Sequence, residues 1–184
     1  MLIKRETAQL LKESRKSALL LGPRQTGKST LIESLNPDFT VNLADEQTYL
    51  DFVRNPLELH SRLSGKRYRT VFIDEVQRLP SLLNTLQGIL DQKSNQIKFY
   101  LTGSSARKLR RGHANLLPGR IHVFHLGPLT SGELDYAMDT ESALATGTLP
   151  GIYSEESNTE RVRTLRTYSA TYLKEEIQAE ALTR

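Results

Sequence analysis

The 184-residue sequence contains no cysteine and no tryptophan. Without cysteine the chain cannot form disulfides or thiolate metal sites, which fits a reducing compartment. The sequence also lacks an apolar run approaching the roughly 20 residues that cross a bilayer, and its N-terminus alternates charged with apolar residues. Its four histidines show no metal-ligand spacing beside carboxylates. We therefore expect a soluble, cytoplasmic chain that contacts no membrane and holds no zinc.

Charge is distributed unevenly along the chain, although the net charge is only +4. Residues 104–132 carry no acidic residue, and their basic residues are Arg107, Lys108, Arg110, Arg111 and Arg120. Residues 133–160 carry seven acidic residues and no basic one. The basic block from Arg107 to Arg111 is a candidate surface for DNA or a protein partner, and two ordinary solvated surfaces explain the pattern equally well.

Apolar runs alternate with amphipathic stretches, as in proteins whose helices cover both faces of a parallel sheet. The pattern predicts strands at 17–22, 39–45, 70–75, 97–105 and 120–130. It predicts helices at 28–36, 80–92 and 159–184, with a partly helical segment at 46–66. The expected fold is therefore α/β, with a mostly parallel five-stranded sheet in three layers.

The segment "LLLGPRQTGKST" ends an apolar run in a glycine-rich loop. Gly22, Gly27, Lys28 and Ser29 fit the phosphate-loop spacing, in which backbone N–H groups and a helix N-terminus surround a triphosphate. Lys28 would reach the β- and γ-phosphates, and the Ser29 hydroxyl would bind Mg²⁺. We expect Lys28 to be solvated without nucleotide. The predicted ATP-binding residues are Gly22, Pro23, Arg24, Gln25, Thr26, Gly27, Lys28, Ser29 and Thr30.

The segment "VFIDE" places two acidic residues at the end of a buried strand. Asp74 at such a position would hold Mg²⁺ through water. Glu75 would act as a general base on the attacking water, which is worth around 10²–10⁴-fold in rate. Together with Ser29, Asp74 forms the predicted magnesium site.

Two further segments contain candidate catalytic residues. "YLTGSS" ends a strand in hydroxyl residues, of which Ser104 or Ser105 could orient water if the strand lies between the first and third. Arg120, just before the fifth strand, could pair with a carboxylate of its own chain or project toward the nucleotide of a neighbouring subunit.

A phosphate loop is compatible with several functions, and two alternatives to ATP hydrolysis remain. A small-molecule phosphotransferase would use the loop to hold the nucleotide while its terminal phosphoryl group is transferred to a bound acceptor. A non-hydrolysing module would instead use the nucleotide to gate binding of DNA or protein.

Four segments in this order resemble the AAA-type ATPase core of bacterial and archaeal P-loop ATPases: "GPRQTGKSTL", "VFIDEVQRLP", "LTGSSARKL" and "LPGRIHVFHLGPLT". The resemblance implies a sensor strand between the phosphate-loop strand and the Asp-Glu strand. It also implies Lys28 and Ser29 as Walker A residues, Asp74 and Glu75 as Walker B residues, Ser104 as the sensor, and Arg120 as an arginine finger in a homo-oligomer.

The family usually continues past the final helix of this sequence into a further domain. The resemblance therefore implies an ATPase core at 1–158 and, at 159–184, a helix that leads toward a domain absent from this chain. From this we expect slow ATP hydrolysis by the isolated chain, coupled as a switch to whatever the helix connects to.

Overall fold

The computed structural model describes residues 3–92, 96–104, 109 and 117–173. The described chain forms two compact units. The larger unit contains Arg5–Pro23 and Gly27–Leu126. The smaller unit contains the described parts of Met1–Lys4, Arg24–Thr26 and Gly127–Arg184.

A five-stranded parallel sheet forms the centre of the larger unit. Its strands are β1 (Ser17–Leu21), β2 (Phe39–Asn42), β3 (Thr70–Asp74), β4 (Lys98–Gly103) and β5 (Ile121–His125). The order across the sheet is β2-β3-β4-β1-β5, and every pairing is parallel. The predicted α/β class is confirmed. The inserted fourth strand brings the ends of β1, β3 and β4 side by side.

The helices whose bounds the structure describes in the larger unit are α1 (Thr7–Glu13), α2 (Lys28–Glu33), α3 (Glu46–Arg54), α4 (Glu58–Leu63) and α5 (Leu82–Leu90). A single 3₁₀ turn, Val76–Arg78, follows β3. The predicted strand at 120–130 is too long, because the backbone leaves the sheet after His125. One more hydrogen bond, from Leu126 N to Leu21 O at 2.8 Å, extends the pairing with β1.

The central strands β1, β3 and β4 are buried on both faces, which explains why they read as nearly continuous apolar runs, whereas the edge strands β2 and β5 are partly exposed. On one face Val71 and Ile73 pack with residues of α3, α4 and α5. On the other face Phe72 packs with residues of α1 and α2, among them Leu11 and Ile32. Helices on both sides of the sheet give the expected three layers.

The smaller unit is helical. It contains a 3₁₀ turn (Gly132–Leu134), then α6 (Thr140–Thr146), α7 (Pro150–Tyr153), α8 (Asn158–Tyr168) and a π turn (Ser169–Leu173). The Arg161 guanidinium ties three helices together by donating to Ser142 Oγ, Tyr153 O and Glu155 O. The predicted helix at 159–184 is helical through Leu173, and its remainder lies outside the described residues. No helix in the described part of the chain is long and apolar enough to cross a membrane.

Candidate nucleotide-binding site

The glycine-rich loop connects β1 to α2, and two of its glycines have structural reasons to be glycine. A Cβ atom at Gly22 would overlap the carbonyl oxygen of Leu126. Gly27 precedes α2 with φ +85°, a left-handed conformation that side chains disfavour. The loop thus passes closely over the end of β5 and turns into the N-terminus of α2.

Lys28 is buried, with 5% of its surface exposed. Its Nζ donates hydrogen bonds to the carbonyl oxygens of Gly22 and Pro23, both at 2.8 Å. The expectation of a solvated lysine is therefore wrong, because the loop carbonyls accept hydrogen bonds from the buried ammonium group. The same contacts fix the ammonium group at the phosphate loop.

Asp74 joins the end of β3 to the start of α2. Its Oδ1 accepts hydrogen bonds from Ser29 Oγ at 2.9 Å, from Glu75 N at 3.1 Å and from Thr102 Oγ1. Its Oδ2 accepts none from the residues that the structure describes. The pair of Ser29 and Asp74, predicted as metal ligands, thus offers adjacent hard oxygen atoms of the kind that Mg²⁺ binds.

Glu75 has φ +57° and ψ 42°, in the left-handed region. This conformation costs a non-glycine residue roughly 1–2 kcal/mol. Hydrogen bonds from Glu75 N to Asp74 Oδ1 and to Thr102 Oγ1, each at 3.1 Å, hold the backbone there. Strain of this kind often accompanies functional sites.

Gln77 connects the Glu75 carboxylate to the end of β4. Its Nε2 donates to Glu75 Oε2, and its Oε1 accepts from Ser104 N at 3.3 Å. A Cβ atom at Gly103 would lie only 3.0 Å from Gln77 Oε1, so the small residue leaves room for the amide. The segments that carry Glu75 and Ser104 therefore meet at this amide.

The Ser104 hydroxyl is buried and has no hydrogen-bond partner among the described residues. An unpartnered buried hydroxyl costs about 1–3 kcal/mol and indicates a site completed by another polar group. Ser105, the alternative sensor residue, lies outside the described residues. So do Arg107, Lys108, Arg110 and Arg111, the proposed basic surface.

Arg120 lies at the opposite edge of the sheet from the phosphate loop. Ile121 pairs with Ser17 at the start of β1, whereas the loop follows Leu21, about 13 Å further along the strands. The guanidinium binds Asp91 through Nε–Oδ1 at 2.5 Å and Nη2–Oδ2 at 2.9 Å. The structure does not bring Arg120 to the other predicted residues of its own chain.

Three residues near the site were not predicted from the sequence. Thr102 could have been noticed as a hydroxyl within an apolar strand, and Gln77 as a polar residue just after the acidic pair. Arg5 is buried at 7% exposure, and its Nη1 would lie 3.9 Å from a Cβ at Gly27. No sequence signal marks Arg5, because its distance from the loop along the chain hides their proximity.

The sequence profile of the AAA domain family matches residues 14–135. Uncharacterised proteins of Mycobacterium tuberculosis and Mycobacterium bovis are each 29% identical to the chain over 161 residues, covering 86% of it and 35% of each relative. The chain thus spans about a third of the length of these curated relatives.

Two solved structures resemble the chain more distantly. One is a structure of Pif1 helicases that concerns DNA unwinding at forked double-stranded DNA. It is 13% identical to this chain, and the TM-score is 0.47. The match covers 89% of this chain and 51% of the helicase chain. Hsp104 with ATPγS and casein shares 16% identity with a TM-score of 0.49, over 80% of this chain and 32% of its own.

Proposed function

Because the chain belongs to the AAA domain family, we propose that it binds ATP with Mg²⁺ and hydrolyses the γ-phosphate. The observation that carries this proposal is the 2.9 Å hydrogen bond between Ser29 Oγ and Asp74 Oδ1. It joins the phosphate loop to the acidic end of β3, the two parts that a P-loop ATPase uses on one substrate.

Binding rests on the loop from Gly22 to Thr30. Backbone N–H groups at the loop and at the start of α2 surround the triphosphate, and Lys28 neutralises its charge. The carbonyls of Gly22 and Pro23 already hold the Lys28 ammonium group in place. A preorganised cation loses less conformational entropy when the phosphates arrive.

The magnesium site would be formed by Ser29 and Asp74. Bound there, Mg²⁺ would supply charge neutralisation on the β- and γ-phosphate oxygens. Asp74→Asn keeps an Oδ1 acceptor for the three donors that hold it and removes the negative charge. We therefore expect this variant to weaken the Mg²⁺ dependence of ATP binding while preserving the fold.

Hydrolysis would use Glu75 as the general base. The carboxylate takes a proton from a water molecule as the water oxygen bonds to the γ-phosphorus and the bond to the β-phosphate bridging oxygen breaks, giving ADP and phosphate. Gln77 fixes one carboxylate oxygen, and the buried Ser104 hydroxyl supplies a polar contact at the same end of β4. The assignment of Ser104 and Glu75 to these roles is part of the proposal.

A switch role is supported by contacts within the smaller unit. Tyr168 Oη donates to the Arg24 carbonyl at 3.4 Å, and the Arg24 guanidinium lies 5.0 Å from the Tyr172 ring. A movement of loop residue 24 would therefore reach α8 and the turn after it. Residues 159–184 would transmit the nucleotide state to whatever this helix contacts.

The test measures ATP binding by calorimetry and phosphate release by a coupled assay, for the parent and for Glu75→Gln. The parent should bind ATP and release phosphate slowly without any added acceptor. Glu75→Gln should bind ATP as tightly and lose about 10²–10⁴-fold in turnover, because an amide accepts no proton. Equal turnover in both would remove Glu75 as the base.

Measuring ADP formation beside phosphate release separates the two alternatives. ADP that forms only when candidate small-molecule acceptors are added, without release of inorganic phosphate, would favour a phosphotransferase. Tight ATP binding without turnover in the parent would favour a nucleotide-gated binding module.

A further inference from the structure

Positively charged residues cluster at the edge of the sheet where its parallel strands begin, opposite the phosphate loop. Basic residues precede three of the parallel strands: Arg15 and Lys16 before β1, Lys66, Arg67 and Arg69 before β3, and Arg120 before β5. Because all strands are parallel, their starts meet at the same edge. Segments far apart in sequence therefore contribute to one electropositive edge.

A groove of about 1030 Å³ opens at this edge beside β3. The residues that line it include His60, Lys66, Arg67, Tyr68, Arg69 and Gln92. No acidic residue is among the lining that the structure describes. Lys66 and Arg67 are exposed, and their side chains make no hydrogen bond or ion pair with any described residue. We call this feature the basic groove.

Two acidic residues at this edge, Asp38 and Asp91, accept hydrogen bonds from neighbouring groups. Asp38 Oδ2 accepts hydrogen bonds from the backbone N–H groups of Arg69 and Thr70, at 2.7 and 2.8 Å. Asp91 forms its two-bond ion pair with Arg120. Asp38 also interacts electrostatically with Arg69, whereas Lys66 and Arg67, which have no hydrogen bond or ion pair with any described residue, remain available to an external anion.

The shape of the groove narrows the choice of anion. It is concave, whereas binding of an anionic membrane needs a surface that meets a plane. Its aromatic wall is rigid, because Tyr68 stacks on Phe39 with ring centroids 5.1 Å apart and an angle of 25°. Cations that track a backbone, beside an aromatic ring, are typical of surfaces that bind single-stranded nucleic acid.

We propose that the basic groove binds single-stranded nucleic acid through its phosphate backbone. Lys66, Arg67 and Arg69 supply the phosphate contacts, and the Tyr68 ring forms one wall. This site is distinct from the segment Arg107–Arg111, and it does not depend on ATP hydrolysis.

The test measures fluorescence anisotropy of a labelled oligothymidylate against salt concentration. In the test variant Lys66, Arg67 and Arg69 are all changed to Gln. In the control variant Lys4, Arg54 and Arg166, three exposed cations elsewhere in the described chain, are changed to Gln, so that net charge falls equally. Thermal unfolding by circular dichroism checks that both variants fold as the parent does.

We expect the parent to bind at low salt, with affinity falling as salt rises. The test variant should flatten the slope of log affinity against log salt by about 0.7 per lost contact, or about 2 in total, and the control should leave it unchanged. Crosslinking with an oligonucleotide containing 4-thiothymidine should map to groove residues by mass spectrometry.

Four outcomes would overturn the proposal. The parent could fail to bind at low salt, or both variants could lose affinity equally, which would indicate net charge alone. Crosslinks could map only outside the groove. The parent could also bind phosphatidylserine vesicles in preference to the oligonucleotide, which would assign the groove to a membrane surface.

Discussion

The ammonium group of Lys28 is held by the loop that precedes it, through the carbonyl oxygens of Gly22 and Pro23. A lysine in this position acts on the substrate and also satisfies two backbone acceptors. Its substitution therefore has two effects that can be measured separately, one on the free protein and one on nucleotide binding.

Lys28→Ala should lower the stability of the nucleotide-free protein by about 1–3 kcal/mol, because two carbonyls lose a charged donor. ATP should raise the melting temperature of the parent by ligand linkage and leave that of the variant unchanged. Lys16→Ala is the matched control, since it removes a lysine bonded to the Gly119 carbonyl at 2.6 Å. An equal ATP-induced shift in Lys28→Ala and the parent would refute the binding assignment.

The Gln77 amide holds the Glu75 carboxylate from one side and the Ser104 backbone from the other. Gln77→Met keeps the volume and removes both hydrogen bonds. We expect kcat to fall by about 10- to 100-fold, since small errors in the position of a reacting group have effects of this size. KM and the ATP-induced thermal shift should not change.

Two comparisons isolate the positioning role of Gln77. Gln47→Met, the same substitution, removes a 2.8 Å hydrogen bond to the Asp51 carboxylate on α3 and should leave kcat unchanged. In a Glu75→Gln background, Gln77→Met should cost nothing further, because residues that act as a unit are not additive. A full additional loss there would mean that Gln77 acts apart from Glu75.

At the scale of single elements, Asp38, the residue just before β2, connects β2 to the start of β3 through its side chain. Asp38 Oδ2 accepts from Thr70 N and Arg69 N, and these backbone hydrogen bonds hold the pKa of Asp38 below its usual value. A carboxyl whose folded pKa is lowered contributes stability that is present above its unfolded pKa. That stability is lost as pH falls through the folded pKa.

Asp38→Asn should therefore lower stability at neutral pH and reduce the loss of stability on acidification, between about pH 5 and the folded pKa. Urea unfolding at a series of pH values measures both effects. Glu33→Gln, which changes an exposed carboxylate without a side-chain hydrogen bond to any described residue, is the matched control. If Asp38→Asn followed the parent curve at every pH, the backbone contacts of Asp38 would not contribute.

The elements themselves were largely predictable from the sequence, because each buried strand is an apolar run and each motif stands at the end of one. The insertion of β4 between β1 and β3 followed from the resemblance of the motifs to a known family. The contacts of Thr102 and Gln77 were not predictable, since they depend on the register of β4 against β3 and on the left-handed turn at Glu75. The burial of Lys28 depends on where loop carbonyls point, which residue spacing does not encode.

At the scale of the whole molecule, Arg120 lies at the edge of the sheet opposite its own phosphate loop. Its ion pair with Asp91 lowers the pKa of that carboxyl and raises the pKa of the guanidinium, chiefly through the hydrogen bond between them. An exposed ion pair of this kind contributes little to stability, because water and salt screen it. The placement leaves two roles for Arg120, a surface ion pair or an arginine finger for the nucleotide of a second copy.

If Arg120 acts on a second copy, Arg120→Ala and Glu75→Gln should each be nearly inactive alone, because a finger is worth around 10³–10⁵-fold in rate. Mixing the two proteins should restore part of the ATPase activity, since a mixed interface pairs an intact Glu75 with an intact Arg120. Sedimentation of the parent with ATP should show self-association under the same conditions.

Asp91→Asn separates this role from the ion pair, because it removes the charged partner and leaves Arg120 in place. An arginine finger predicts that Asp91→Asn keeps most of the ATPase activity, while Arg120→Ala loses it. Two results together would leave Arg120 only its ion pair with Asp91. In the first, Asp91→Asn and Arg120→Ala lose activity equally. In the second, the mixture of Arg120→Ala with Glu75→Gln stays as inactive as its components, although the parent self-associates and hydrolyses ATP.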